Sequence, residues 1–327
     1  MNDHYRCSPW RNIGIVSVET FEELVMSTPG TPTYDQLRIF LTVVETGSFA
    51  AAGRKLNRAT SVISYGIANL EAQLGIQLFD REGTRKPVLT PAGQSVLAEA
   101  HEIAHGMDGL RAKVKGLMQG LEPQVSVAVD VMWPSAWLGS VLKAFAQEFP
   151  TVTLRLNIEA LGGIAALVLD GRAAIGVSGP LSMEWEGIER VALGSVPLVP
   201  VAAPDHPLAR GRLKPGAGRD HIQLVLTDRS PLTAGRDFSV LSDRTWRLAD
   251  LGAKHQLLRE GIGWGGMPVP LIEADLIAGT LVKLDMPDRA EVLYNFEGIY
   301  RADAPPGPAA RWLLRQFALA SGVQAPD

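Results

Sequence analysis

The sequence predicts an all-α winged helix-turn-helix domain at the N-terminus, a long linker helix, and a two-subdomain α/β domain. Three observations carry this expectation. Residues 48–71 hold two short helical patterns separated only by Asn57-Arg58-Ala59. Apolar residues then recur at alternating steps of 4 and 3 from Val96 to Leu121. From Val125 onward, strand-like and helix-like stretches alternate, the pattern of an α/β fold with mostly parallel sheets.

A chain of 327 residues has room for two or three domains. Its hydrophobic fraction of 46% suits substantial cores. A net charge of −4 excludes polyanion binding by bulk charge. The balance is uneven, however. Over 34–93 the cations Arg38, Arg54, Lys55, Arg58, Arg81, Arg85 and Lys86 outnumber the anions Asp35, Glu45, Glu71, Asp80 and Glu82, which fits a small DNA reader. The single cysteine, Cys7, excludes an intramolecular disulfide framework and a cysteine-rich metal site. No apolar run approaches the roughly 18 residues of a membrane span, and no secretory pattern opens the chain. A cytoplasmic protein without a membrane partner is expected.

Residues 1–33 end in the turn-rich Ser27-Thr28-Pro29-Gly30-Thr31-Pro32 and read as a disordered extension. A short amphipathic helix around Glu19–Met26 is the alternative, and Met26 offers another start. The winged domain is expected over 34–93, the linker helix over 94–122 and the α/β domain over 123–327. The first helix spans 35–46, with Asp35 as N-cap, Gly47 as stop and Leu37, Phe40 and Val44 as its stripe. Ser48 caps the second helix, where Phe49, Ala52 and Leu56 share a face. Ile63, Ile67, Leu70 and Leu74 line the third. Ala50, Ala51, Ala52 and Gly53 let a second helix come close. This is a helix-turn-helix, whose second helix enters the major groove. The segment Arg81–Leu89 reads as a two-stranded wing with a Gly-Thr turn.

Thr90-Pro91 opens the long helix, with Thr as N-cap and Pro at the first helical position. Val96, Ala100, Ile103, Met107, Leu110, Val114, Leu117 and Leu121 form a coiled-coil seam. Gly106, Gly109, Gly116 and Gly120 each weaken the helix by up to ~1 kcal/mol. Partner packing must then supply the stability, so a homodimer is expected; the alternative is a helix packed on its own domain. Pro123 ends it. Strands are expected at 125–131, 152–158, 173–178, 196–202, 222–227 and 292–299, helices at 136–149, 164–170, 249–260, 269–278 and 308–319, and a loop at 204–219.

The order of these parts resembles the LysR-type transcriptional regulators. The resemblance rests on Leu37-Arg38-Ile39-Phe40, Glu45-Thr46-Gly47-Ser48-Phe49, Ala51-Ala52, Leu56, Ser61, Ser64, Ile67, Leu70-Glu71, Leu74-Gly75, Leu78-Phe79, Arg81 and Leu89-Thr90-Pro91-Ala92-Gly93. It continues at Phe149-Pro150, Leu169-Asp170-Gly171, His206-Pro207-Leu208-Ala209 and Gly261-Ile262-Gly263. It implies a regulator that binds double-stranded promoter DNA as a dimer of dimers. It also implies an α/β portion like periplasmic binding proteins, with a small effector in its cleft, and RNA polymerase as a further candidate partner. The sequence departs from the family where Ser-Gln usually stands, at Ala59-Thr60, and where Arg-Gln often stands, at Tyr65-Gly66. The glutamine that commonly reads bases is missing.

With Ile63, Ile67 and Leu70 facing inward, Thr60, Ser61, Ser64, Tyr65 and Ala68 face the groove. Hydroxyls contact phosphates or base edges, and apolar groups contact thymine methyls. Arg58 is the candidate for bidentate base contact, with a phosphate clamp as the alternative. Ser48, Arg54, Asn57, Arg81, Arg85 and Lys86 complete the candidate DNA face.

Candidate effector residues follow the early strands: Met132, Trp133, Pro134, Ser135 and Trp137, then Gly162 and Gly163. Val201, Ala202, Thr227, Trp264 and Gly265 come from the other subdomain. Core or dimer packing is the alternative for Trp133 and Trp137. Ser135 as a helix N-cap would favour an anionic ligand, which makes an organic acid the candidate class. No cofactor or metal is expected.

Three motifs are set aside. His101-Glu102-Ile103-Ala104-His105 matches H-E-x-x-H, the basis of a zinc-hydrolase reading. Ile103 lies on the apolar seam, which turns both histidines outward. Gly261-Ile262-Gly263-Trp264-Gly265-Gly266 matches G-x-G-x-x-G but follows a helical pattern rather than a strand, and reads as a flexible crossover and pocket edge. Ser178 in Gly-Val-Ser-Gly is not a nucleophile elbow. A ligand-binding protein without DNA activity would explain 125–327 but not the first 93 residues.

Overall fold

A computed structural model describes residues 30–80, 86–180, 185–289 and 291–323. The expected extension up to residue 29, Cys7, and the wing residues Arg81 and Arg85 lie outside the described residues. The chain divides into two compact units between Arg111 and Ala112.

The first unit opens with α1 (Tyr34–Thr46), α2 (Phe49–Leu56) and α3 (Thr60–Leu74). The N-cap of α1 is Thr33, not Asp35. The Thr33 hydroxyl accepts from the Gln36 amide at 3.3 Å, and the Gln36 side chain accepts from the Thr33 amide at 2.7 Å. This reciprocal box satisfies two donors where Asp35 would satisfy one. Gly47 closes α1 at φ 68°. Ser48 caps α2 by accepting from the Ala51 amide at 3.1 Å. Asn57 closes it at φ 54°, a left-handed conformation that Asn tolerates. The three helices enclose Phe40, Val43, Ile63 and Leu70, each no more than 0% exposed. Phe79 meets both Phe40 and Phe49 edge-on, at 5.6 and 5.8 Å between ring centres.

The wing strands β1 (Phe79–Asp80) and β2 (Val88–Leu89) pair antiparallel. Their start is fixed by Glu71, a buried carboxylate that accepts from the Leu78 and Phe79 amides at 2.8 and 3.2 Å. Thr90 accepts from the Gly93 amide at 2.9 Å and so caps α4 (Pro91–Met118). This helix ends at Met118, before Pro123, and the chain reverses at Gly120 with φ 77°. Leu121 therefore leaves the seam and packs on the α/β core. Ile103, Leu110, Val114 and Leu117 stand about half exposed along α4.

The second unit contains β3 (Gln124–Asp130), α5 (Ser135–Glu148), β4 (Thr153–Glu159), α6 (Gly162–Leu169), β5 (Ile175–Ser178) and β6 (Ile188–Ala202). It continues with β7 (Gln223–Leu226), β8 (Thr245–Leu248), α7 (Leu251–Arg259), β9 (Gly265–Pro268), α8 (Val269–Ala278), β10 (Val282–Lys283), β11 (Val292–Arg301) and α9 (Pro308–Ala320). The main sheet has the order β10-β6-β11-β5-β3-β4, with β9 also on β6. β3 pairs parallel with β4 and β5, but β11 runs antiparallel to both β5 and β6. β9 and β10 are antiparallel to β6 as well. The expectation of mostly parallel sheets is thus corrected. β11 inserts between the consecutive strands β5 and β6, and no crossover rule applies to that distant pairing. A separate parallel pair, β7 with β8, forms a second small sheet. The supposed glycine crossover at 261–266 runs into β9, which is buried along its whole length.

Trp133 sits in the core rather than at a surface. It is 3% exposed and meets Trp137, Phe296 and Phe317 edge-on, with centroids 4.8–5.5 Å apart. Trp264 is also fully buried and donates Nε1–H to the Gly218 carbonyl at 3.2 Å.

Gly53 is where α2 meets the turn before α3. A Cβ at 53 would stand 2.7 Å from the Arg58 carbonyl oxygen, a backbone atom that cannot swing aside. Gly53→Ala should lower stability by about 1–3 kcal/mol through overpacking. Urea denaturation checks this, and an unchanged midpoint would show that the turn shifts at little cost.

Candidate functional site

The recognition helix α3 has no side-chain cap at Ala59. Its outer face carries Thr60, Ser61, Ser64 and Tyr65, all exposed, with Tyr65 at 68%. Val62, 46% exposed, joins them; the sequence reading placed it on neither face. Ser48 is half-buried at its cap, while Arg54, Asn57 and Lys86 are exposed. Arg58 is engaged within its own unit. Its guanidinium donates to both Asp35 oxygens at 2.5 and 3.0 Å, and these bonds hold the Asp35 carboxyl below the usual carboxylate range. Lys55 pairs with Glu45.

In the α/β unit, the ends of β3 and β4 face β7 across a cleft with two chambers. The inner chamber, about 80 Å³, is lined by Met132, Leu161, Phe238, Tyr294, Lys254 and Arg289 among others. The outer, about 400 Å³, includes Thr227, Arg229 and Arg236. Leu161, Val225, Leu226 and Phe238 are walls of both.

Of the expected effector residues, Met132 lines the inner chamber and Thr227 the outer. Trp133, Pro134, Val201, Ala202 and Trp264 are buried packing residues. Trp137 packs against the core, and Gly162 lies beneath Thr233 and Asp228. Gly163 backs onto Glu159, and Gly265 onto Leu224 and Lys254. Ser135 does not cap α5; Pro134 occupies that position without a side-chain bond.

Two cations that the sequence reading passed over stand in the otherwise mostly apolar lining of the inner chamber. Lys254 is 3% exposed, and its ammonium donates to the Gly266 carbonyl at 2.8 Å. Burial and the neighbouring charge of Arg289 push its pKa down to about 7. Burial also lowers Arg289, which donates to the Ser239 carbonyl at 3.2 Å. Among the described residues, no carboxylate forms an ion pair with either cation. A signal for Lys254 was present: Leu251, Lys254 and Leu258 share the buried face of α7, so a lysine occupies a core position. Arg289 lies in a connection with no such pattern.

Asp130 lies behind two residues of the inner lining, Met132 and Tyr294. It accepts from the Met132 amide at 2.8 Å, the Gly179 amide at 3.1 Å and the Tyr294 hydroxyl at 2.9 Å. Burial raises its pKa to about 6 against the opposing pull of these bonds. His101 and His105, by contrast, are exposed on α4, with ring centres 6.1 Å apart. No group of three or more metal-ligating side chains occurs among the described residues, and none of the described helices is long and apolar enough to cross a membrane.

A helix-turn-helix unit joined to an α/β unit with a cationic pocket defines a ligand-responsive DNA-binding regulator. Family comparison makes this specific. The model for the bacterial regulatory helix-turn-helix proteins of the lysR family matches residues 34–94, and that for the LysR substrate binding domain matches 118–320. The chain belongs to the LysR family of transcriptional regulators. It is 31% identical to the HTH-type transcriptional activator AllS of Klebsiella pneumoniae, over 76% of this chain and 93% of that one. It is 27% identical to the HTH-type transcriptional regulator AceR of Acinetobacter baumannii, over 86% of this chain and 94% of that one. Full-length LysG of Corynebacterium glutamicum aligns at TM-score 0.48 and 21% identity, covering 90% of this chain and 100% of that one.

The depressed pKa of Lys254 fixes a sign for stability against pH. Folded Lys254 titrates near 7 and unfolded lysine near 10.5, so the folded state binds fewer protons between these values. Its contribution is fully present above pH 10.5 and is lost as pH falls through 7. Lys254→Met should therefore flatten the pH dependence in this window, removing a change on the order of 5 kcal/mol. Urea titrations of both proteins from neutral pH upward check it; parallel curves would place the lysine in a solvated setting.

Proposed function

We propose that this regulator binds promoter DNA as a homodimer or dimer of dimers and changes state when a small organic anion enters the inner chamber. One observation carries the effector reading: a buried cation, Lys254, and a half-buried one, Arg289, line one chamber without a carboxylate partner among the described residues. Burying unpaired charge is costly, at roughly several kcal/mol per ion. An anion between them offsets that cost and adds charge-assisted hydrogen bonds. Switching needs only ~1–3 kcal/mol of differential affinity between two states.

On the DNA side, the exposed hydroxyls of Thr60, Ser61 and Ser64 meet base edges or phosphates, with Tyr65 and Val62 against thymine methyls. Ser48, Arg54, Asn57, Arg81, Arg85 and Lys86 serve the backbone. Arg58 reaches DNA only by giving up Asp35. The half-exposed stripe Ile103, Leu110, Val114 and Leu117 supports pairing through α4. RNA polymerase is a further candidate partner of the DNA-bound assembly.

Mobility shift on the DNA upstream of the protein's own gene tests the central reading; no shift beyond that on random DNA would leave only a ligand-binding protein. Tyr65→Ala should change sequence preference by about tenfold, whereas Arg54→Ala should weaken all sequences alike and lower the salt slope by about 1. Selection from randomised DNA with each variant separates the two. For the effector, acetate should raise the melting temperature of the parent protein and raise it less in Arg289→Gln. Equal shifts would place the anion elsewhere.

A further inference from the structure

We infer that Lys254 is a covalent anchor: the inner chamber takes a small oxo acid, whose carboxylate pairs with Arg289 and whose carbonyl carbon condenses reversibly with Lys254 Nζ. This rests on the anion reading of the chamber and adds a chemical class and a bond to it.

The placement of Lys254 differs from that of every other described lysine. The rest are exposed; Lys254 lines the inner chamber of the cleft at 3% exposure. A lysine buried for electrostatic reasons normally faces a carboxylate. Here, among the described residues, Nζ donates to an uncharged backbone carbonyl, Gly266 O at 2.8 Å. A neutral amine is well served by this arrangement. One N–H goes to Gly266, and the lone pair is left for an electrophile. Desolvation beside a second cation is the setting that activates lysine as a nucleophile. With a pKa of about 7, on the order of half the Lys254 amines are neutral at pH 7, against about one in a thousand for an ordinary lysine. Arg289 lines the same chamber and stays charged at that pH, so it can hold the acid group without competing as a nucleophile. The chamber's volume of about 80 Å³ admits a carboxyl group and its adjacent carbonyl. A longer chain would follow Leu161 and Phe238 toward the outer chamber.

The chemistry balances without a further reagent. The Nζ lone pair adds to the carbonyl carbon, and the carbonyl π pair moves to oxygen. The oxygen leaves as water with the two amine hydrogens, and a C=N bond replaces C=O. No electrons are gained or lost. Hydrolysis reverses the step, as a sensor requires.

The test uses the full chain with glyoxylate, the smallest oxo acid, and sodium cyanoborohydride at pH 7. Reduction converts the imine to carboxymethyl-lysine, located by peptide mapping. Lys254 should be labelled at least about tenfold faster than any exposed lysine. Formaldehyde, a carbonyl without a carboxylate, should also label Lys254. In Arg289→Gln the glyoxylate label should fall about tenfold relative to the formaldehyde label, which also reports an intact chamber. Acetate, a carboxylate without a reactive carbonyl, is followed by thermal shift without reductant. If Lys254 reacts no faster than exposed lysines while acetate still stabilises the protein, the covalent step is overturned and the anion reading stands. If acetate has no effect either, both fall.

Discussion

The pocket in the α/β unit depends on one carboxylate. Asp130 ends β3 and accepts hydrogen bonds from the chain just beyond it, from Gly179 after β5 and from Tyr294 on β11. These segments lie 49 and 164 residues away in sequence for Gly179 and Tyr294, so Asp130 fixes contacts that no local propensity could. Position 179 must be glycine for this to work: a Cβ there would overlap the Tyr294 hydroxyl and crowd Asp130 Oδ2. Two pocket walls, Met132 and Tyr294, are consequently held by the same side chain. A ligand that displaces either must strain the bonds to the other. The cost of burying the charge is visible in the raised pKa of Asp130, and its three donors offset only part of it.

The contrast with the cations across the chamber separates structural from receptive charge. Asp130 has a donor for each role the fold asks of it. Lys254 and Arg289 each reach one backbone carbonyl and no anion among the described residues. A buried group whose needs the protein itself meets is part of the scaffold; one whose needs are left open marks a site. His255 follows the first pattern, because Asp275 accepts from its ring at 2.7 Å and is itself shared with Arg259 and Thr280. That cluster locks α7 to α8 and its neighbouring turn and leaves nothing for a ligand.

What the sequence made legible was local. Ser48, Asn57 and Thr90-Pro91 mark helix ends through bonds made within three or four residues, and the structure has those ends where the residues demand them. Asp35 misled because it is a good cap in isolation, while Thr33 with Gln36 forms the stronger reciprocal box. Strand direction was not legible. The antiparallel ribbon of β6 and β11 joins segments about a hundred residues apart, with Val292 opposite Leu198 and Arg301 opposite Ile188. Glycines around Trp264 looked like a flexible edge, yet β9 is buried because β6 lies against it. Aromatic residues after β3 attracted a pocket assignment, although a tryptophan among phenylalanines is more economically a core residue. The pocket was instead marked by a lysine on an apolar stripe.

The DNA-binding unit gives a physical reason for the proposed second copy. Its recognition face offers hydroxyls, Tyr65 and Val62, but no arginine or glutamine to make bidentate base contacts. The arginine at the turn is held by Asp35. Each unit is therefore a weak discriminator taken alone. Two weak readers on one assembly make the second contact effectively intramolecular, so their discriminations add in free energy. Ile103, Leu110, Val114 and Leu117 give α4 an apolar stripe that stands about half exposed among the described residues. Gly106, Gly109 and Gly116 in the C-terminal half of α4 keep the isolated helix marginal, so covering the stripe with a partner would stabilise the helix and multiply the readout together.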